Sequence, residues 1–292
     1  MADAARAAML ADYSSSDPDW SDEAGRHWVM RGANFVVVTT QAKAGAVLAR
    51  DGNPDEYMVL LPEGVAAGIE AGDQRIDSDG DSLSIVPPGA SRVIVAAGGF
   101  VYRVFSARAV DLAARARNAG DYAAGAADVA ALADWPAPVN GYRLRHYRLA
   151  EHVRSDTTMR LFRSSNLMLN VFLPRAEPRD VRKMTPHSHE DFEQASLALS
   201  GNYVHHLRYP WVPDMTGWRG DEHAEVASPS IVIIPPRVIH TSQSVGSKTS
   251  RLVDIFAPPR IDFSLKPGLV CNADDYPLPE RAAAMAPVAG AA

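Results

Sequence analysis

The chain reads as a succession of short apolar runs, each broken by Gly, Pro or Asp. In the first half they are ANFVVVTT (33–40), EYMVLL (56–61), SLSIVPP (82–88) and FVYRVF (100–105). In the second half they are YRLRHYRLAE (142–151), NLMLNVFL (166–173), QASLALS (194–200), NYVHHLRY (202–209), SIVIIPP (230–236) and RLVDIFAP (251–258). Their length, β-branched content and punctuation predict strands. Residues 107–138 differ. VDLAARARNA and AADVAALADW suit helices interrupted near Gly120 and Gly125, and Pro136 and Pro138 close the stretch. Residues 1–25 are rich in Ala, Ser and Asp and predict a loosely docked arm, and 265–292 an extended and then disordered tail. The pattern predicts an all-β protein of two units, 26–106 and 139–264, joined by a helical connector at 107–138.

Bulk properties narrow the function classes. The net charge is −6 over 292 residues, which gives no electrostatic footprint for nucleic acid. Cys271 is the single cysteine, so an internal disulfide and a zinc–thiolate cluster are both excluded. No run approaches the ~20 apolar residues of a membrane helix. The first twenty residues lack the basic start and apolar stretch of a secretory signal, so the expected location is the cytoplasm.

The two halves repeat. DEYMVLLPEG (55–64) parallels FEQASLALSG (192–201), setting Glu56 against Glu193, Tyr57 against Gln194 and Gly64 against Gly201. IVPPGASRVI (85–94) parallels IIPPRVIHTS (233–242), setting Arg92 opposite His240. The extra length of the second copy falls in YPWVPDMTGWRGDEHAE (209–225), which predicts a lid or binding loop.

Six of the nine histidines lie between 187 and 240, most densely in PHSHEDFEQ (186–194). Alternate residues of a strand share a face, so His187 and His189 would project together and chelate one ion. His240, after the later Pro-rich turn, would supply a third imidazole, and Gln194 or Glu193 a fourth donor. Such a set leaves positions open, as catalytic metal sites do.

This stretch resembles the cupin family. The first cupin motif, His-x-His followed by Glu and then Gly, is approached by His187-Ser188-His189 and Gly201, with Gln194 in the glutamate slot when counted back from Gly201 and Glu193 when counted forward from His189 with the shorter spacing. The second is met by Pro235 and His240, with Arg237 where the family has glycine. The resemblance implies two double-stranded β-helix barrels. The second would be metal-binding, and the first, with Arg50, Gly52, Tyr57 and Arg92 at the corresponding positions, degenerate. Strand alternation forbids Glu193 and Gln194 from both reaching the ion. The recurrence of glutamate at 56 and 193 favours a structural role for it and Gln194 as ligand.

The expected cofactor is one divalent ion, with Fe, Mn, Ni and Zn undistinguished, and the expected partner a small anionic substrate. A homodimer is expected. Arg237 is a candidate to grip a carboxylate. Glu193, His205 and His206 are candidates to carry a proton. The reaction expected first is isomerase- or lyase-type proton transfer on a hydroxy- or keto-acid, possibly sugar-derived. An Fe(II)-dependent dioxygenase and a non-catalytic binding cupin are the alternatives.

Overall fold

The computed structural model describes residues 5–133 and 135–280. It is all-β, with two short α-helices, Val110–Arg115 and Ile261–Ser264, and a few 3-10 turns. No helix among the described residues is long and apolar enough to cross a membrane.

Each half folds into a large sheet facing a smaller one. In the first half the large sheet runs through Ser82–Val86, Tyr57–Leu61, Gly99–Ser106, Phe35–Ala42 and Gly25–Arg31. In the second it runs, in the same order, through Ser230–Ile234, Gln194–Ser200, Arg251–Phe256, Met168–Val171 and Leu161–Arg163. The duplication seen in sequence is thus a duplication of topology. The two large sheets pack back to back on a shared apolar core that includes Met58, Leu60, Tyr102, Val104, Leu197, Ile233, Val253 and Ile255. Both faces of these strands are buried, so they read as continuous apolar runs rather than alternating ones. Alternation still sorts the side chains. Tyr102 and Val104 enter the shared core, while Val101 and Phe105 enter the first barrel.

The halves also exchange edges. Met9–Asp12 pairs antiparallel with Ser230–Ile234 of the second half, and Arg145–Arg148 pairs with Ser82–Val86 of the first. The N-terminal arm is therefore part of a sheet from residue 9, not loosely docked. The tail is likewise ordered to residue 280, and Tyr276 is buried. The expected disorder of 281–292 lies outside the described residues.

A matched pair of buried carboxylates ties the barrels together. Glu56 accepts from the Ser165 amide (3.0 Å), the Ser165 hydroxyl (2.8 Å) and the Tyr276 hydroxyl (2.8 Å). Glu193 accepts from the Ala33 amide (2.6 Å) and the Tyr122 hydroxyl (2.9 Å), and pairs with Arg6 (2.7 Å). Each glutamate starts a strand of one barrel and holds a hairpin loop of the other. Asn118 and Asn272 repeat the symmetry, each bonding both ways to the backbone of Arg31 or Arg163.

The connector departs from expectation. Val110–Arg115 and the turn Ala119–Tyr122 form, but over residues 126–133 of the expected second helix no helix forms. The backbone there is used elsewhere: the Ala130 amide donates to the Asp191 backbone carbonyl (2.7 Å), and its carbonyl accepts from the Asn34 side-chain amide (2.8 Å). Tertiary hydrogen bonds outweigh the helix propensity of alanine here.

Candidate metal centre

His187 and His240 face each other across a single antiparallel bridge, joined by His187 N–H to His240 O (3.1 Å) and His240 N–H to His187 O (2.8 Å). The turn before His240 passes through Arg237 at φ +65°, the left-handed backbone that favours glycine, and the Arg237 amide donates to the His189 carbonyl (2.6 Å). That bond locks the His-x-His segment to the turn carrying the third histidine.

The donor atoms of His187, His189 and His240 lie within 4.8 Å of one another. Nδ1 of His187 is engaged by the Thr185 carbonyl (2.9 Å) and Nδ1 of His240 by the Val238 carbonyl (2.9 Å). These bonds fix the tautomers and leave Nε2 of each as the free donor. Nε2 of His240 is sealed from solvent and has no hydrogen-bond partner among the described residues. A buried polar atom without a partner is costly, and a metal ion would satisfy it. Burial pushes His189 down to about 3 and His240 down to about 4, so both are neutral, as ligation requires.

The strand Gln194–Ser200 sends Gln194, Ser196 and Ala198 one way and Ala195 and Leu197 into the shared core. Gln194 Oε1 lies 3.0 Å from His189 Nε2. Its Nε2 donates to Ser196 Oγ (2.9 Å), which donates to Asp254 Oδ1 (2.7 Å). This relay turns the amide oxygen toward the histidines. Glu193 points the opposite way, into the inter-barrel network, which corrects the reading of it as a proton carrier.

His187 and His240 open on a cavity of about 450 Å³ whose wall also includes Gln194, Arg175, Arg179 and Asp254. The Arg179 guanidinium is held by the Ser242 carbonyl (2.9 Å), the Thr185 hydroxyl (2.8 Å) and the Lys183 carbonyl (3.3 Å). No carboxylate among the described residues forms an ion pair with it, although Asp254 shares the cavity wall. Asp254 is pushed up to about 6, first by burial, while its Ser196 bond and the charges of Arg260 and Arg179 pull it down.

Three further sequence candidates land away from the wall. Arg237 is exposed and lends only its backbone. His206 faces outward, bonded to His223 (2.7 Å) and Gln243 (3.1 Å), because its neighbour His205 takes the inward position. His205 is buried, with Nδ1 on Ser242 Oγ (2.8 Å), one residue behind the wall. No residue of 209–225 lines the cavity. That loop stacks Trp211 on Trp218 (4.4 Å) and is anchored to the N-terminal arm through Tyr209 and Arg219, so it is not a lid over this site. In the first barrel, Arg92 is exposed and Ser91 is the inward residue, because the strand pairing shifts register between Gly89 and Ser91. Sequence reasoning missed Asp254 and Arg179. The available signals were a lone carboxylate inside an apolar strand run and the basic segment PRAEPRDVRK just ahead of the histidines.

No protein-family model matches the sequence, and no curated protein matches it. Solved structures do match. Protein Ylba from E. coli aligns with TM-score 0.57 at 12% identity, over 87% of this chain and 91% of that one. A Bacillus subtilis oxalate decarboxylase variant aligns with TM-score 0.56 at 13% identity, over 91% and 83%. AerE from Microcystis aeruginosa aligns with TM-score 0.55 at 9% identity, over 82% and 94%. At these identities the likeness speaks for the fold, and it runs through both halves. Together with the histidine motifs it identifies the chain as having the two-barrel cupin fold.

Proposed function

We propose that this protein is a metal-dependent enzyme that moves a proton on a small hydroxy- or keto-acid. The observation that carries the reading is a three-histidine cluster, two of whose members, His187 and His240, line a cavity shared with the guanidinium of Arg179 and the buried carboxylate of Asp254. His187, His189, His240 and Gln194 would hold the ion. When bound, a divalent ion supplies Lewis-acid stabilisation of negative charge developing on a substrate oxygen.

The remaining work falls to the chain's own groups. Arg179, with Arg175 beside it on the wall, fixes the acid group, because a guanidinium fork matches a carboxylate. Asp254 exchanges a proton near neutral pH, because its pKa of about 6 lies close to working conditions. Ser196 holds Asp254 and Gln194 in register. Some solved structures with this fold are oxalate decarboxylases, one in complex with formate and one studied for its Mn(II) centres, which supports a small acid and a metal ion here too.

The test is turnover of metal-loaded protein on a panel of hydroxy- and keto-acids in deuterated water without dioxygen. Deuterium entering the product beside the carbonyl, lost in Asp254→Asn, is the expected result. Turnover that requires dioxygen and places its atoms in the product would replace this reading with the dioxygenase. Tight binding without turnover would leave a binding protein.

A further inference from the structure

The first barrel carries its own charged interior. Arg103 lies on Gly99–Ser106 between Val38 and Val59. Asp254 lies in the second barrel between the equivalent residues, Asn170 and Ser196. The place of the cavity carboxylate is thus taken by a guanidinium. Its strand neighbours Val101 and Phe105 belong to the first barrel's core, so the side chain between them points into that barrel.

Arg103 is 6% exposed, and its Nε is sealed without a hydrogen-bond partner. Among the described residues no carboxylate forms an ion pair with it. The carboxylate whose charge reaches it, Asp22, is already held by His27 (2.9 Å) and by the amides of Ala24 (2.9 Å) and Gly25 (3.2 Å). A second guanidinium sharpens the problem. Arg50 and Arg103 lie 5.5 and 5.8 Å from the Phe105 ring centroid. Arg50 is neutralised by Asp111 (2.6 and 3.0 Å), and Arg103 is not. Tyr57 stacks on Phe105 (4.6 Å), with its hydroxyl 2.9 Å from Ser91 Oγ. Burial, and to a lesser degree the charge of Arg50, act against the Arg103 proton, while Tyr57 and Asp22 favour it, and guanidinium stays charged in proteins. A buried, uncompensated cation is strongly unfavourable.

We propose that the first barrel is an anion site, in which Arg103 binds a small monoanion of halide or formate size. The barrel without the histidine set then has a binding function of opposite charge preference. This does not depend on the reaction assigned to the second barrel.

The test uses the full chain, with metal removed by chelation, in gluconate buffer at constant ionic strength. Formate or bromide is titrated in while the melting temperature is followed. The wild type should rise saturably by several degrees. Arg179→Gln, which removes the carboxylate-binding guanidinium of the other cavity, should still rise saturably. Adding Arg103→Met to it should abolish the rise, and in gluconate alone Arg103→Met should melt at or above the wild type, because a thioether replaces an uncompensated charge. Arg103→Lys keeps the charge but loses the fork, and should need at least about tenfold more anion for the same shift. An anomalous bromide peak beside Arg103 in a crystal would place the ion directly. The proposal is overturned if the wild type responds to neither anion or if Arg103→Met or Arg103→Lys responds like the wild type. It is also overturned if Arg103→Met melts far below the wild type in gluconate alone, since Arg103 would then already be compensated within the protein.

Discussion

Replacing Glu193 with alanine separates a structural glutamate from a catalytic one. The side chain is 1% exposed and holds three partners: the Ala33 amide, the Tyr122 hydroxyl and Arg6. Removing it orphans an amide and a hydroxyl in the inter-barrel seam and leaves Arg6 only its bond to Asp128. Losing one member of a buried charged network costs about 3–5 kcal/mol. Arg6 is a quarter exposed, so its share is screened and the lower end applies. For a chain of this size that corresponds to a fall in Tm of roughly 6–12 °C. Calorimetry reads the fall, and elemental analysis of the same sample below its Tm reads the metal. The expected result is a large loss of stability with full metal content. An unchanged Tm with the metal lost would refute the reasoning, because Glu193 would then be a ligand and the strand alternation misread.

His240→Ala should abolish stoichiometric metal binding, measured by elemental analysis, while the barrel stays folded by circular dichroism. Arg179→Gln should lower kcat/KM for the acid substrate by about 10- to 100-fold, chiefly through KM, since it removes a contact made before and during the reaction. Asp254 gives a pH dependence. Burial raises its pKa from 3.8 to about 6, so the folded state holds this proton more tightly than the unfolded chain. Its contribution is therefore most favourable below pH ~4 and is lost as pH rises through about 6, a fall of about 3 kcal/mol in metal-free protein. In Asp254→Asn this part of the fall in stability between pH 4 and 7, followed by denaturant titration, should disappear.

What the sequence determined by itself is the chemistry that is local. His187, His189 and the Pro-rich turn before His240 have spacings set by strand and turn geometry, so the donor set was legible. The period of two made Glu193 and Gln194 mutually exclusive as ligands, and the recurrence of glutamate at 56 and 193 pointed to Gln194. The apolar runs gave the strands, and their repetition the duplicated topology. Arg103 and Asp254 were visible as single charges inside apolar strands, but not as occupants of equivalent places. That needed the pairing of Val38 with Arg103 and of Asn170 with Asp254. The edge exchange of Met9 with Ile233 and the non-helical course of 126–133 were decided only by the assembled fold. So was the replacement of Arg237 by Arg179 as the cavity's guanidinium. Each depends on partners remote in sequence, and local propensities of a few tenths of a kcal/mol per residue give way to a buried hydrogen bond or charge pair worth several times more.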